Sequence, residues 1–111
     1  MSHIPTPLNR LAAQVHLTAV QHGFWDGNRT FAEQVVLMHC ELSEAIEEER
    51  AGRADIWYGE GGKPEGVATE LVDCMIRIID TLAARDIDID ALIAEKCDYN
   101  GTRPYKHGKR Y

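Results

Sequence analysis

The chain reads as an all-α protein, a bundle of about four helices. Apolar residues recur at three- and four-residue steps over long stretches, and period-two alternation is absent throughout. Glycine- and proline-bearing breaks separate those stretches, as they do between packed helices.

The first six residues read as an extended arm with two prolines. From Pro7 to about Gln21, Leu8, Leu11, Ala12, Val15 and Ala19 form one apolar stripe, which predicts the first helix. "HGFWDGN", residues 22 to 28, carries two glycines and ends it. Thr30 is the expected N-cap of the second helix, with Glu33 completing a capping box, and the helix is expected to run to Ala51 and stop at Gly52. "GRADIWYGEGGKPE", residues 52 to 65, reads as a loop, long enough to suggest a function. The third helix is expected from about Gly66 to Ala84. Its apolar residues cover more than one face, which predicts burial on two sides, inside the domain or against a partner chain. Residues 88 to 99 form a shorter fourth helix with Asp88 as its cap, followed by a basic tail with Arg103, Lys106, Lys109 and Arg110.

The whole chain, residues 1 to 111, is the size of one domain. A net charge of −6 argues against a nucleic-acid polymer as partner, yet it tolerates a small anionic substrate when a divalent cation sits between protein and phosphate. Three widely spaced cysteines, Cys40, Cys74 and Cys97, fit neither a disulfide framework nor a zinc knuckle, which points to a reducing cytoplasm. The N-terminus lacks a signal-peptide pattern, and no apolar run is long enough to span a membrane.

"CELSEAIEEER", residues 40 to 50, crowds five acids onto one predicted helix. Residues three apart share a helical face, so Glu41 and Glu44 point the same way, as do Glu70 and Asp73 on the third helix. An antiparallel pairing of the two helices would make the pairs converge. Four converging carboxylates repel and have raised pKa values unless a cation neutralises them, and oxygen ligands of this kind suit Mg²⁺, with Mn²⁺ as a substitute. Leu42, Ala45, Leu71 and Cys74 flank the acids, placing them at the edge of an apolar face, whereas a purely solvated acid belongs opposite it. Glu48 is a further candidate ligand or holder of a water; Glu47 and Glu49 read as solvated, and Arg77 as an ion-pair partner for a neighbouring acid. A lone E-x-x-E is more often a solvated surface pair than a metal site.

The combination is more specific. E-x-x-E, twenty-five intervening residues, then E-x-x-D, together with "HGFWD", "KPEGVATELVDCMIRIID" and "KCDYNGTRPYKHGKRY", resembles the short single-domain members of the MazG-like all-α nucleoside triphosphate pyrophosphohydrolases, over roughly residues 20 to 111. The resemblance implies that Glu41, Glu44, Glu70 and Asp73 coordinate Mg²⁺. It also implies that a (deoxy)nucleoside triphosphate is cut between its α- and β-phosphates to a monophosphate and pyrophosphate, as nucleotide-pool housecleaning. Some relatives carry an extra acid just before the first motif acid; Cys40 stands there in this chain, so that base is absent. Glu41 or Glu44 is then the candidate acceptor of the water proton. By resemblance Lys96, Asn100 and Arg103 approach the triphosphate, as a point charge, an amide and a fork for phosphate oxygens.

A nucleobase needs a flat apolar wall, for which Phe24 and Trp25 are candidates, with Trp57 and Tyr58 behind them; aromatics in a small domain are more often core or interface. His16, His22 and His39 lack zinc-like spacing and read as structural. The helices have too many apolar faces for a lone unit, so a homodimer, or a tetramer of two dimers, is expected. Two alternatives stay open: a substrate-restricted dUTP, dCTP or phosphoribosyl-ATP pyrophosphatase, and a non-enzymatic helical module whose acidic face binds metal or a basic partner.

Overall fold

The computed structural model describes residues 7–110, so the expected N-terminal arm lies outside the described residues. Four helices dominate it: α1 (Pro7–Gln21), α2 (Phe31–Arg50), α3 (Val67–Ala84) and α4 (Ile89–Thr102). The all-α expectation holds. Between α2 and α3 the chain adds a small antiparallel hairpin, β1 (Trp57–Tyr58) and β2 (Pro64–Glu65), in register Trp57↔Glu65 and Tyr58↔Pro64. Strands of two residues carry no periodicity, so sequence pattern could only show a loop here.

Local chemistry sets the helix ends. Thr30 Oγ1 accepts from Glu33 N–H while Glu33 Oε1 accepts from Thr30 N–H, closing the capping box, each at 3.1 Å. Beyond Ala51 the chain turns at Gly52, whose φ of 71° suits glycine alone without strain. The start of α3 depends on Gly66. Its φ is 111°, and a Cβ there would lie 2.2 Å from the Asp55 carbonyl oxygen, the same oxygen that accepts the Ala68 N–H. α4 runs past the expected residue 99 because a glycine at 101 is tolerated in a helical turn; Pro104 ends it by holding Arg103 extended, at φ −80° and ψ 152°.

α3 is the central element, packed against α2 on one side and α1 on the other, and α4 packs on α1. Two carboxylates stitch α1 to α4. Asp90 accepts the N–H groups of Leu8 and Asn9, at 3.3 and 2.8 Å, satisfying donors that the first turn of a helix leaves open. Asp88 caps α4 through the Ala91 N–H and also accepts from the Asn9 side-chain amide. Asn9 Oδ1 in turn accepts the Ile89 N–H at 2.8 Å.

The hydrophobic core within one chain is thin. Among the described residues the buried apolar ones are Ala12, Ala45, Cys74 and Ile89, all small but one. Val36, Ile46, Leu71, Val72, Met75 and Ile78 stay exposed on α2 and α3, so part of the apolar surface of α3 is left uncovered by the described residues. Leu42 and Leu71, expected to flank the acids on an apolar face, are among the exposed residues. The accessible surface is 8489 Å², against about 6,200 Å² for a folded monomer of this mass. All three cysteines are free, and among the described residues no helix is long and apolar enough to cross a membrane.

Candidate metal centre

α2 and α3 lie antiparallel, so that Glu70, near the start of α3, comes alongside Glu41 and Glu44, and Cys74 Sγ reaches the Met38 carbonyl at 3.6 Å. One carboxylate oxygen from each of Glu41, Glu44 and Glu70 lies within 4.8 Å of the other two. Glu41 is buried, Glu70 half-buried and Glu44 exposed, so the group opens to solvent at one side. Arg77, one turn beyond Asp73, donates from Nε to Glu41 Oε1 at 2.9 Å, which fixes Glu41 in place.

The electrostatics of this group are unfavourable for bare carboxylates. Burial, hydrogen bonds to Glu44 and Glu41, and the charges of Glu44 and Asp73 push the Glu70 carboxyl up to about 7 from an ordinary 4.5. Asp73 is also raised, by burial first and by the Glu41 charge, with Arg77 and Lys63 pulling the other way. Asp73 stands outside the tight group of three but close enough to feel both Glu41 and Glu70. The donors are hard carboxylate oxygens in excess of the cations beside them, a set that fits Mg²⁺ or another hard divalent ion.

Beside the acids a cavity of about 590 Å³ opens between α1, α2 and α3, a size in the range of small-ligand sites. Glu41 and Asp73 line it on the acidic side, Phe24 and Trp25 provide aromatic surface, and Arg29, Lys63 and Arg77 supply positive charge. Lys63 reaches this wall from the hairpin, and the hairpin is tied down by Glu48. Glu48 accepts from Trp57 Nε1 at 2.6 Å and pairs with Arg53, whose guanidinium also lies 5.5 Å from the Trp57 ring centroid. Glu48 thus anchors the loop and is not one of the converging group, and Trp57 is turned to Glu48, not to the cavity. Tyr58 is exposed.

The C-terminal residues stand apart. Lys96 and Asn100 are exposed on α4 and Arg103 is half-exposed after it; none of the three lines the cavity. Lys96 and Arg103 both approach the Tyr99 ring, at 5.4 and 5.5 Å. Sequence reading missed Arg29, Lys63 and Asp80 as cavity residues. Asp80 carried a usable signal, an acid in the apolar run "IRIID" two turns after Asp73 on the same helical face. Lys63, in a glycine-rich loop, carried none. No family model, curated protein or solved structure matches this chain, so its function has to be read from its own geometry.

Proposed function

We propose that the chain is a Mg²⁺-dependent nucleoside triphosphate pyrophosphohydrolase of the MazG-like all-α kind, working as a homo-oligomer. One observation carries this reading: Glu41, Glu44 and Glu70 converge within 4.8 Å at the edge of a cavity that offers aromatic surface and three cationic side chains. Acid, cation and aromatic wall are the three features that a nucleoside polyphosphate requires together.

Glu41, Glu44 and Glu70 would hold the ion, with Asp73 completing the set. A divalent ion supplies charge neutralisation to phosphate oxygens and acidifies water. Arg77 keeps Glu41 oriented, and with Arg29 and Lys63 it offsets the remaining phosphate charge. Glu44 is the better proton acceptor of the two candidates. Arg77 occupies one oxygen of Glu41, whereas Glu44 pairs with no cation among the described residues. Phe24 and Trp25 offer the base a stacking surface.

The surface in excess of a folded monomer, and the exposed apolar residues of α2 and α3, support assembly with a second copy. In such an assembly Lys96, Asn100 and Arg103, which do not line this cavity in their own chain, would serve that of a neighbouring chain. Light scattering at micromolar concentration should report a dimer or tetramer.

The decisive experiment incubates the chain with a panel of ribo- and deoxyribonucleoside triphosphates and Mg²⁺ and resolves the products. Nucleoside monophosphate and pyrophosphate are expected. Release of orthophosphate, or no turnover across the panel, would overturn the reading.

A further inference from the structure

Asp80 makes contacts that the acids of the metal centre do not. Its Oδ1 meets His16 Nδ1 at 2.7 Å, and the Trp25 indole N–H donates to both carboxylate oxygens, at 3.1 and 2.9 Å. The His16 and Trp25 rings meet edge to face, with centroids 5.3 Å apart and planes at 69°. Three separate pieces of chain are joined in this way: His16 from α1, Trp25 from the turn after it, and Asp80 from α3. The Asp80 side chain is only 16% exposed.

Trp25 stands in an irregular turn after α1, tied by backbone hydrogen bonds from Phe24 N–H to the Ala19 carbonyl and from Asp26 N–H to the Gly23 carbonyl. Residues 22–28 have no regular lattice, and Gly23 and Gly27 both sit at positive φ, 83° and 82°. The plane of the indole is then set by its contacts with side chains of the neighbouring helices, His16 of α1 and Asp80 of α3. A charge-assisted bond shared over two oxygens fixes it, and the edge contact with His16 limits tilt. Asp80 and Trp25 both line the cavity, as do Glu41 and Asp73. Holding the ring in place before a ligand arrives removes an ordering cost from binding.

We propose that Asp80 is a positioning residue of this cavity: it clamps the Trp25 indole against His16 so that the ring stands ready as the wall on which a nucleobase stacks. The proposal rests on the nucleotide reading above and adds to it a residue that touches neither metal nor phosphate. Stacking on an indole is tolerant of base identity, so the clamp serves purine and pyrimidine triphosphates alike.

The test compares wild type, D80A, D80N and W25F in the full chain, with inorganic tripolyphosphate as a base-free competitor. D80A should raise KM for purine and pyrimidine triphosphates by roughly tenfold with kcat changed less than about threefold, the loss expected for one stacking wall. The inhibition constant of tripolyphosphate should stay unchanged. D80N should recover most of the loss, because its amide oxygen still accepts the indole N–H, and W25F, which keeps a ring but loses that N–H, should behave like D80A. The chain has two tryptophans, so a ¹H–¹⁵N spectrum shows two indole signals, the Trp25 one identified by its absence in W25F. D80A should move that signal alone, and a non-hydrolysable nucleotide should move it in the wild type. Equal weakening of nucleotide and tripolyphosphate, an unchanged KM in both D80A and W25F, or a Trp25 signal indifferent to nucleotide would overturn the clamp. A wild type that shifts the Trp25 signal with nucleotide but turns none over would overturn the pyrophosphohydrolase and leave the clamp standing.

Discussion

Two seams of this molecule are rich in carboxylates, and they use them in opposite ways. Between α1 and α4, Asp88 and Asp90 each face donors: backbone N–H groups of Leu8, Asn9 and Ala91 and the Asn9 amide. Between α2 and α3, Glu41, Glu44 and Glu70 face one another, with Arg77 on Glu41 as the cation paired to the group. The first arrangement is explained by folding, since acids satisfy the open N-termini of two helices. The second is not, since close acids raise each other's proton affinity and weaken the fold that holds them. Acids that cost stability where they stand need a reason outside stability, and a cation is the simplest one.

The largest expected effect breaks the comparison by function. Replacing Glu44 or Glu70 by Gln should lower turnover of a nucleoside triphosphate by roughly 10²–10³-fold, the scale of losing one essential electrostatic element of a site. Replacing Asp90 by Asn should leave turnover within about threefold while weakening the fold. Initial rates with Mg²⁺, alongside far-ultraviolet circular dichroism to verify helicity, check both. A comparable loss of turnover in the two seams would remove the distinction.

The second effect concerns stability and differs in sign. Asp90→Ala leaves the Leu8 and Asn9 N–H groups without their acceptor and should cost about 1–2 kcal/mol, as the loss of a helix cap does. Glu70→Gln in metal-free protein at pH 8 should instead raise the melting temperature, because it removes a carboxylate forced to ionise among its neighbours. Thermal melts at one fixed protein concentration settle the signs. Gly66→Ala is a control for the frame that carries Glu70: positive φ and the approach to the Asp55 carbonyl should make it the more damaging of these single changes to the fold.

The two seams also differ in how far the sequence showed them. The capping box of Thr30 and Glu33 and the cap at Asp88 are local, written in residues three apart, and were legible. The antiparallel packing of α2 and α3 that brings Glu70 beside Glu41 and Glu44 was legible from helical period and a connecting loop, but Asp73 outside that group and the exposure of Leu42 and Leu71 were not. Arg77 could be read as an ion-pair partner, but its choice of Glu41, on another helix, was not fixed by spacing. The reach of Asp90 across 82 residues to Leu8, the joining of His16 and Trp25 through Asp80, and the use of Glu48 to hold the Trp57 hairpin are tertiary facts with no periodic trace. The separation of Lys96, Asn100 and Arg103 from the cavity is of the same kind: helix α4 was legible, its docking on α1 was not.

A third effect is smaller and sharpens the electrostatic half of the comparison. The Glu70 carboxyl loses its proton near 4.5 in an unfolded chain and near 7 in the folded one. Between those values the folded state binds the extra proton, so stability falls as pH rises through the window and is not regained above it. In chelator-treated protein the melting temperature should therefore decline by a few degrees, roughly, from pH 5 to pH 7.5. Glu70→Gln should flatten the decline. Mg²⁺ should do the same, and its binding near pH 7 should release protons, visible as a dependence of the calorimetric heat on buffer ionisation enthalpy.

The smallest effect is the most discriminating, because it uses an acid from the same run. Glu47 lies one turn beyond Glu44 on α2, but its side chain is 72% exposed and its ion-pair contact is a loose 3.8 Å approach to Arg50, itself exposed. An exposed pair of that kind contributes between about 0 and 1 kcal/mol. Glu47→Gln removes the same charge from the same helix as Glu44→Gln and differs only in where the side chain stands. It should change melting temperature by no more than a degree or two, roughly, and leave turnover as it was. If the acidic run mattered for its total charge, attracting Mg²⁺ or a basic partner to the helix as a whole, the two substitutions would weaken function alike. If position decides, Glu44→Gln lowers turnover and Glu47→Gln does not, because Glu44 has an oxygen within 4.8 Å of those of Glu41 and Glu70 while Glu47 stands apart in solvent.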